Sequence, residues 1–241
     1  MSENIILNHI PFLPSLSDLS LRLHIRKGSA QEADLQYLLR QAEVIARPKA
    51  MFRIAFIEET RLDQVIIDGF VFTSRVLRTN LGQHHRSFPF IATCGRELDA
   101  WAHSYSDMLM RFYADTIQES ALRGAIKHLK AHILSLYLPE ISTQPGGLQL
   151  SEMNPGSLED WPIDEQKVLF TLLGNVDGTI GVSLTKSMLM KPIKSVSGIF
   201  FTNQESYTNC QLCPRGSCTN RTMAYDPTLY ERKYGGGGIL T

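Results

Sequence analysis

The chain has 241 residues, 43% of them apolar and 20% charged, and its 24 basic and 24 acidic side chains cancel to a net charge of zero. That size buries a core without disulfide staples, and the balanced charge gives no whole-molecule attraction to nucleic acid or to an anionic membrane. The cysteines number four and are clustered, which argues against a secreted disulfide framework.

Residues 1–28 read as short apolar pieces broken by proline and serine, with one strand expected around Leu19–Ile25. Glu3, Pro11 and Pro14 interrupt any leader-like pattern, and no apolar run reaches the roughly 18 residues of a membrane span, so the cytoplasm is the expected compartment. From Ala30 to Ala46, Leu35, Leu38, Leu39, Ala42 and Ile45 recur at helical spacing. Met51–Ile57, Val65–Phe72 and Phe88–Cys94 are rich in Ile, Val and Phe and predict strands. Gly95 then breaks the chain before a helix beginning near Glu97. The longest helical signal runs from about Asp107 to Tyr137, with Leu109, Phe112, Ile117, Leu122, Ile126, Leu129, Ile133 and Tyr137 close to one stripe. A loop with Pro145, Gly146 and Gly147 follows. Pro162 opens a further helix that Gly174 stops, and Ile180–Leu184 and Val196–Thr202 read as strands. Strands and helices alternate without a regular repeat, which favours one α+β domain with a twisted, largely antiparallel sheet packed by long helices. The expected division is a domain over residues 1–205 and a cysteine-containing segment over 206–241, closing in a flexible run from Gly235 to Gly238.

Residues 151–162 read Ser-Glu-Met-Asn-Pro-Gly-Ser-Leu-Glu-Asp-Trp-Pro. Pro155-Gly156 is a turn dipeptide, and glycine lets backbone N–H groups approach a ligand. The stretch is either a plain loop or, with a helix start behind it, a site for a carboxylate or similar anion. Downstream come Leu184, Thr185, Ser187, Met190, Pro192, Ser195, Val196, Ser197 and Gly198, leading into the aromatic pair Phe200-Phe201. In this order, with the Pro-Gly bend upstream and Ala114-Asp115 on the long helix before it, these residues resemble the reactivation domain of cobalamin-dependent methionine synthase. The resemblance covers roughly residues 105–205. It is closest to the free-standing relatives whose bend is followed by Asp-Trp-Pro, here Asp160, Trp161 and Pro162.

The resemblance implies a single C-shaped domain that binds S-adenosylmethionine in a shallow groove, here at Asn154, Pro155, Gly156 and Ser157. It also implies a partner, a corrinoid protein or corrinoid-dependent methyltransferase, whose cobalamin is rescued by one-electron reduction coupled to methylation. The sequence departs from the family at two places: Glu152 stands where the family has an arginine on the ligand's carboxylate, and Ser157 where it has a tyrosine. The implied function is therefore an accessory protein that reductively reactivates a partner's corrinoid. The rival reading is a binding module or redox adaptor for a corrinoid protein that has lost the methyl donor and carries a metal or iron–sulfur cluster.

Cys210-Gln-Leu-Cys213-Pro-Arg-Gly-Ser-Cys218 places three thiols within nine residues. The spacing suits a soft-ligand site, iron–sulfur or zinc, with Cys94 as a fourth ligand if the fold brings it near. Reduced thiols or a redox-active pair remain the alternatives. His84-His85 and the helical pair His128 and His132 lack a ligand partner at metal spacing. Met188 and Met190 read as core, and Asp115 and Glu119 as a solvated face.

Overall fold

The computed structural model describes residues 3–139, 149–203, 208–218 and 221–234. The Pro145–Gly147 loop and the Gly235–Gly238 run lie outside the described residues. What remains is a single domain of helices and antiparallel sheet.

Strand β6 (Arg86–Thr93) is the hub of the sheet. Along one edge it pairs with β10 (Ser195–Asn203), from Ser195↔Thr93 to Phe200↔Phe88. Along the other it pairs with β2 (Lys49–Arg53) and then, in unbroken register, with β3 (Ala55–Thr60). The run expected as one strand over 51–57 is thus two strands meeting at Ile54. β1 (Asn4–Leu7) pairs outside β2, and β7 (Gln149–Met153) pairs outside β10. β4 (Gln64–Ile67) and β5 (Phe70–Thr73) extend β3 as a hairpin, where one strand was expected over 65–72. Its turn is Asp68-Gly69, both at positive φ, the dipeptide that a tight hairpin requires.

Period-two alternation sends the two faces of this sheet to different partners. Ala50, Phe52, Phe88, Phe90, Ala92 and Phe200 pack under α5 (Met108–Tyr137). Met51, Ile91, Met153, Ile199 and Phe201 face the opposite layer, built from α3 (Arg75–Leu81), α6 (Gln166–Leu173) and Trp161. α3 was not anticipated, although Ser74 caps it by accepting from Leu77 N at 3.0 Å.

A third cluster joins α1 (Leu16–Arg22), α2 (Ala30–Ile45), α4 (Arg96–His103) and the first half of α5. α1 occupies the place where a strand was expected over 19–25. Ser15 accepts from Asp18 N and starts a helix there, and Leu19 is buried on it. The buried stripe of α5 also differs from expectation. It runs through Tyr113, Ile117, Ala121, Ala125, Leu129 and Ile133, whereas Leu109 and Phe112 are exposed. A row of every fourth residue rotates by about 40° per step around a helix of 3.6 residues per turn. The first half of the row therefore faces α2 and α4 and the second half faces the sheet, with alanines allowing close approach at the crossover.

Between α6 and β10 the chain forms α7 (Val176–Ile180) and a two-residue ladder of β8 (Ser183–Leu184) with β9 (Met190–Lys191). The strand expected over 180–184 is shortened because Gly181, at φ 78, ends α7 in the left-handed region. Met188 is buried and Met190 packs against the same core, as expected of that pair. Glu119 and Asp115 are not merely solvated. Glu119 binds Arg22 and Arg123, and Asp115 binds Lys194 at 2.9 Å.

Candidate functional site

The segment from Asn154 to Pro162 leaves β7, bends and ends at α6. Gly156 sits at φ 79, where a side chain would be strained, and a Cβ there would stand 3.1 Å from Ile163. Its N–H donates to Trp161 O at 2.8 Å, and Ser157 N–H donates to Asn154 O at 3.2 Å. Both N–H groups are thus consumed inside the loop, and the bend acts as a wall rather than as an anion cradle. Trp161 fills the loop's inner side, fully buried and edge-on to Phe72 at 6.4 Å.

Asp160 anchors this loop to two other segments. One carboxylate oxygen accepts from Ser74 Oγ and from Val76 N (3.0 Å) at the start of α3. The other accepts from Tyr230 O–H at 3.1 Å. Burial and then the Asp160 charge push the Tyr230 hydroxyl pKa up, so it stays protonated and donating.

Gly156, Ser157 and Asp160 line a cleft of about 1000 Å³ together with Leu158, Ile163, Leu212, Tyr225 and Tyr230. Its rim also carries Glu159 and Asp226. Hydrogen bonds from Thr228, reinforced by Arg232 at 3.2 Å, hold the Asp226 carboxyl below its usual range, so it is ionised at neutral pH. The cleft is thus an apolar and aromatic slot with carboxylates at its edge. Half of its wall comes from residues 212–230. Leu212, Tyr225, Asp226 and Tyr230 escaped sequence reasoning, and the only signal for them was aromatic residues interleaved with acids. Leu212 and Tyr234 enter the buried core, and Tyr234 O–H donates to Asn80 at 3.1 Å.

Asn154 and Pro155 do not line the cleft. Pro155 is buried. Asn154 is a tie: its Nδ2 donates to Glu152 Oε1 (2.9 Å) and Ser197 O (3.0 Å), and its Oδ1 accepts from Asn209 (3.2 Å). Glu152 faces Lys130 of α5 at 2.8 Å, and the same ammonium lies 5.1 Å above the Phe200 ring. The Glu152 carboxylate is thus neutralised on the α5 side of the sheet.

The downstream motif residues are placed mainly for folding. Thr185 Oγ1 accepts from Leu189 N at 3.0 Å and closes the β8–β9 turn. Ser195 Oγ donates to Pro192 O at 2.7 Å and lies 2.9 Å from the Thr93 hydroxyl, from which it can accept. Ser197 donates to Gln166 Oε1 at 3.2 Å, while Gln166 Nε2 donates to Met188 O at 3.1 Å. The buried amide of Gln166 thereby joins α6, β10 and the β8–β9 turn. A Cβ on Gly198 would stand 2.6 Å from Asn154 Nδ2 and closer still to the Met153 carbonyl. That residue must therefore be glycine.

The cysteines do not assemble into the ligand set that their spacing suggested. Among the described residues no three His, Cys, Asp or Glu side chains are placed to hold a metal ion. Cys94 is fully buried in the helical layer with α2, α4 and α5. Burial, and secondarily the Asp99 charge, pushes its thiol up to about 12, which opposes the thiolate a metal needs. Cys210 is half-buried. Burial alone would raise its pKa, but hydrogen bonds from Thr222 and Met223, with the Arg221 charge, hold it below its ordinary value. Cys213 is half-buried and Cys218 exposed. Neither histidine pair joins a metal set. His84 lies within 3.4 Å of Thr202 Oγ1, and His132 packs edge-on against Phe52 at 5.9 Å. Burial, then the neighbouring histidine, lowers the pKa of each.

Comparison with known proteins agrees with this geometry. Residues 159–216, about a quarter of the chain, match the family described as vitamin B12 dependent methionine synthase, activation domain. No curated protein sequence matches the chain. Among solved structures, a crystal structure described as the MetH reactivation domain bound to AdoHcy is similar at a TM-score of 0.60 and 17% identity, over 86% of this chain and 80% of that one. The chain therefore has the fold of that reactivation domain, and from Glu159 through the first two cysteines of the cluster it carries the activation-domain sequence signature.

Proposed function

We propose that this protein is an activation module of a corrinoid methyl-transfer system and that its cleft takes S-adenosylmethionine. The observation that carries the reading is the position of the Gly156–Ser157 bend. This stretch, implied by the family resemblance to touch the methyl donor, forms one wall of the cleft of about 1000 Å³. The remaining surface suits that ligand. Tyr225, Tyr230, Leu212 and Ile163 supply flat apolar area for an adenine ring, and the exposed Glu159 carboxylate supplies negative charge for a sulfonium. Glu152, paired with Lys130 and Asn154, adds no uncompensated charge against the ligand's carboxylate.

In this role the chain's own residues bind and orient the donor. Asp160 fixes the bend against α3 and Tyr230, and the buried Trp161 holds the loop's inner side rigid. The corrinoid is a partner's, carried by a corrinoid protein or a corrinoid-dependent methyltransferase. When bound, that corrinoid would supply the acceptor for the methyl group, which the residues of this chain would hold at the mouth of the cleft.

Calorimetric titration of the full chain with S-adenosylmethionine tests the reading. Saturable binding is expected, weakened in Tyr225→Ala and abolished in Gly156→Leu, with S-adenosylhomocysteine competing. No heat at millimolar ligand would sink it.

A further inference from the structure

Cys210 and Cys213 lie on a single tight turn. Cys213 N–H donates to Cys210 O at 3.3 Å at the end of the 3-10 helix Asn209–Gln211. A turn closed in this way holds its first and last Cα atoms within about 7 Å, which overlaps the span of roughly 4.4–6.8 Å that a disulfide bridges. The two sulfurs have unequal surroundings. Cys210 Sγ accepts from both the N–H and the Oγ1 of Thr222, each at 3.5 Å. Arg221 braces the same loop from inside: its guanidinium donates to the carbonyls of Cys210 (3.1 Å), Cys213 (3.2 Å), Met223 (3.3 Å) and Arg215. A fixed cation thus occupies the concavity of the cysteine loop, beside one sulfur that already receives two donors. Hydrogen bonds to sulfur and a nearby guanidinium favour the thiolate, which is the attacking form in disulfide chemistry. Leu212, between the two cysteines, and Pro214, just after them, line the cleft, so the cysteine turn borders it.

We propose that Cys210 and Cys213 form a thiol–disulfide exchange site, with Cys210 as the attacking sulfur and Cys213 as the resolving one, reacting with a small-molecule or protein disulfide. In the first step the Cys210 thiolate attacks one sulfur of the incoming disulfide, forms a mixed disulfide and releases a thiolate. Cys213 then loses its proton to solvent and attacks Cys210 Sγ. The second thiolate leaves and the intramolecular bond closes. Two cysteine thiols are oxidised and one external disulfide is reduced to two thiols. The reverse steps return the dithiol. Cys218 is exposed beyond this turn and takes no part.

The test equilibrates the full chain, treated with chelator, in glutathione buffers of graded oxidised-to-reduced ratio, followed by acid quench, alkylation and peptide mapping. The expected product is a reversible Cys210–Cys213 disulfide, seen as the loss of two thiol hydrogens, forming equally well in Cys218→Ser. Cys213→Ser is expected to accumulate a glutathione adduct on Cys210. In the unmodified chain Cys210 should react with iodoacetamide first, and Thr222→Val should slow that reaction severalfold. Each of three results would overturn the proposal: a disulfide that recruits Cys218, no disulfide at any ratio, or Cys213 alkylated ahead of Cys210. Stoichiometric zinc or iron that protects all three cysteines in the untreated protein would also overturn it. None of these readouts depends on S-adenosylmethionine, so the two proposals stand or fall separately.

Discussion

The two stretches that carry the family resemblance serve different ends in this molecule. From Leu184 to Phe201 the motif residues are structural ties. Thr185 closes a turn, Ser195 and Ser197 tie to Thr93 and Gln166, and Gly198 gives room to the neighbouring strand. From Glu152 to Ser157 the strand end is also structural, through Lys130 and Asn154, and only the last two residues reach the cleft. Residues of one motif can therefore serve packing while residues a few positions away line a cleft.

That contrast can be broken most severely in the core behind the bend. Trp161→Ala empties a fully buried aromatic site and should cost about 3–5 kcal/mol in denaturant unfolding. A cost under 1 kcal/mol would mean that the indole does not pack as part of the core. Gly198→Ala should cost about 3 kcal/mol, because the new methyl group must push back the Met153 carbonyl. Hydrogen exchange should show the β7–β10 ladder opening first, and unaltered protection there would contradict the packing argument.

Alkaline unfolding probes the helical layer instead. Cys94 has a folded pKa of about 12 against 9.0 as its reference, so the folded state favours the neutral thiol. Its contribution is complete below pH 9 and is lost as pH rises toward 12, at about 1.4 kcal/mol per pH unit. Cys94→Ala should flatten that part of the stability profile relative to the parent chain. Equal slopes would show that Cys94 does not titrate with unfolding.

The smallest effect is expected at the α5 side of the bend. Glu152→Arg sets like charges against Lys130 and should cost about 1 kcal/mol. Lys130→Glu in the same chain should recover most of it. A double-mutant cycle without coupling would show that the pair contributes nothing.

Much of the architecture was readable in the residues. The i, i+3, i+4 spacing in α2, the uninterrupted helical stretch of α5 and the β-branched and aromatic runs of β6 and β10 each predict the element found. Sequence reading failed where a short cap or turn outweighed the apolar pattern. Ser15 and Ser74 initiate seven-residue helices too short to show a period, and Asp68-Gly69 folds one apolar run into two strands. The α5 stripe was misplaced because its buried row is partly alanine, which a hydrophobic pattern underweights. At the site, Gly156 and Ser157 were legible and do line the cleft. Its opposite wall was not, because Tyr225, Asp226 and Tyr230 lie some seventy residues downstream, and Tyr230 is tied to the loop through Asp160.

By itself the sequence determined the mixed helix-and-sheet character, the long helix and the family motif, since these follow from local spacing and residue type. Tertiary structure alone decided which motif residues line the cleft and which hold strands together. It also decided that Glu152 is neutralised by a lysine from α5 and that Cys94 lies in a different layer from the other cysteines. Those outcomes depend on which faces of a sheet meet which helix, and residues distant in the chain become neighbours only when the core closes.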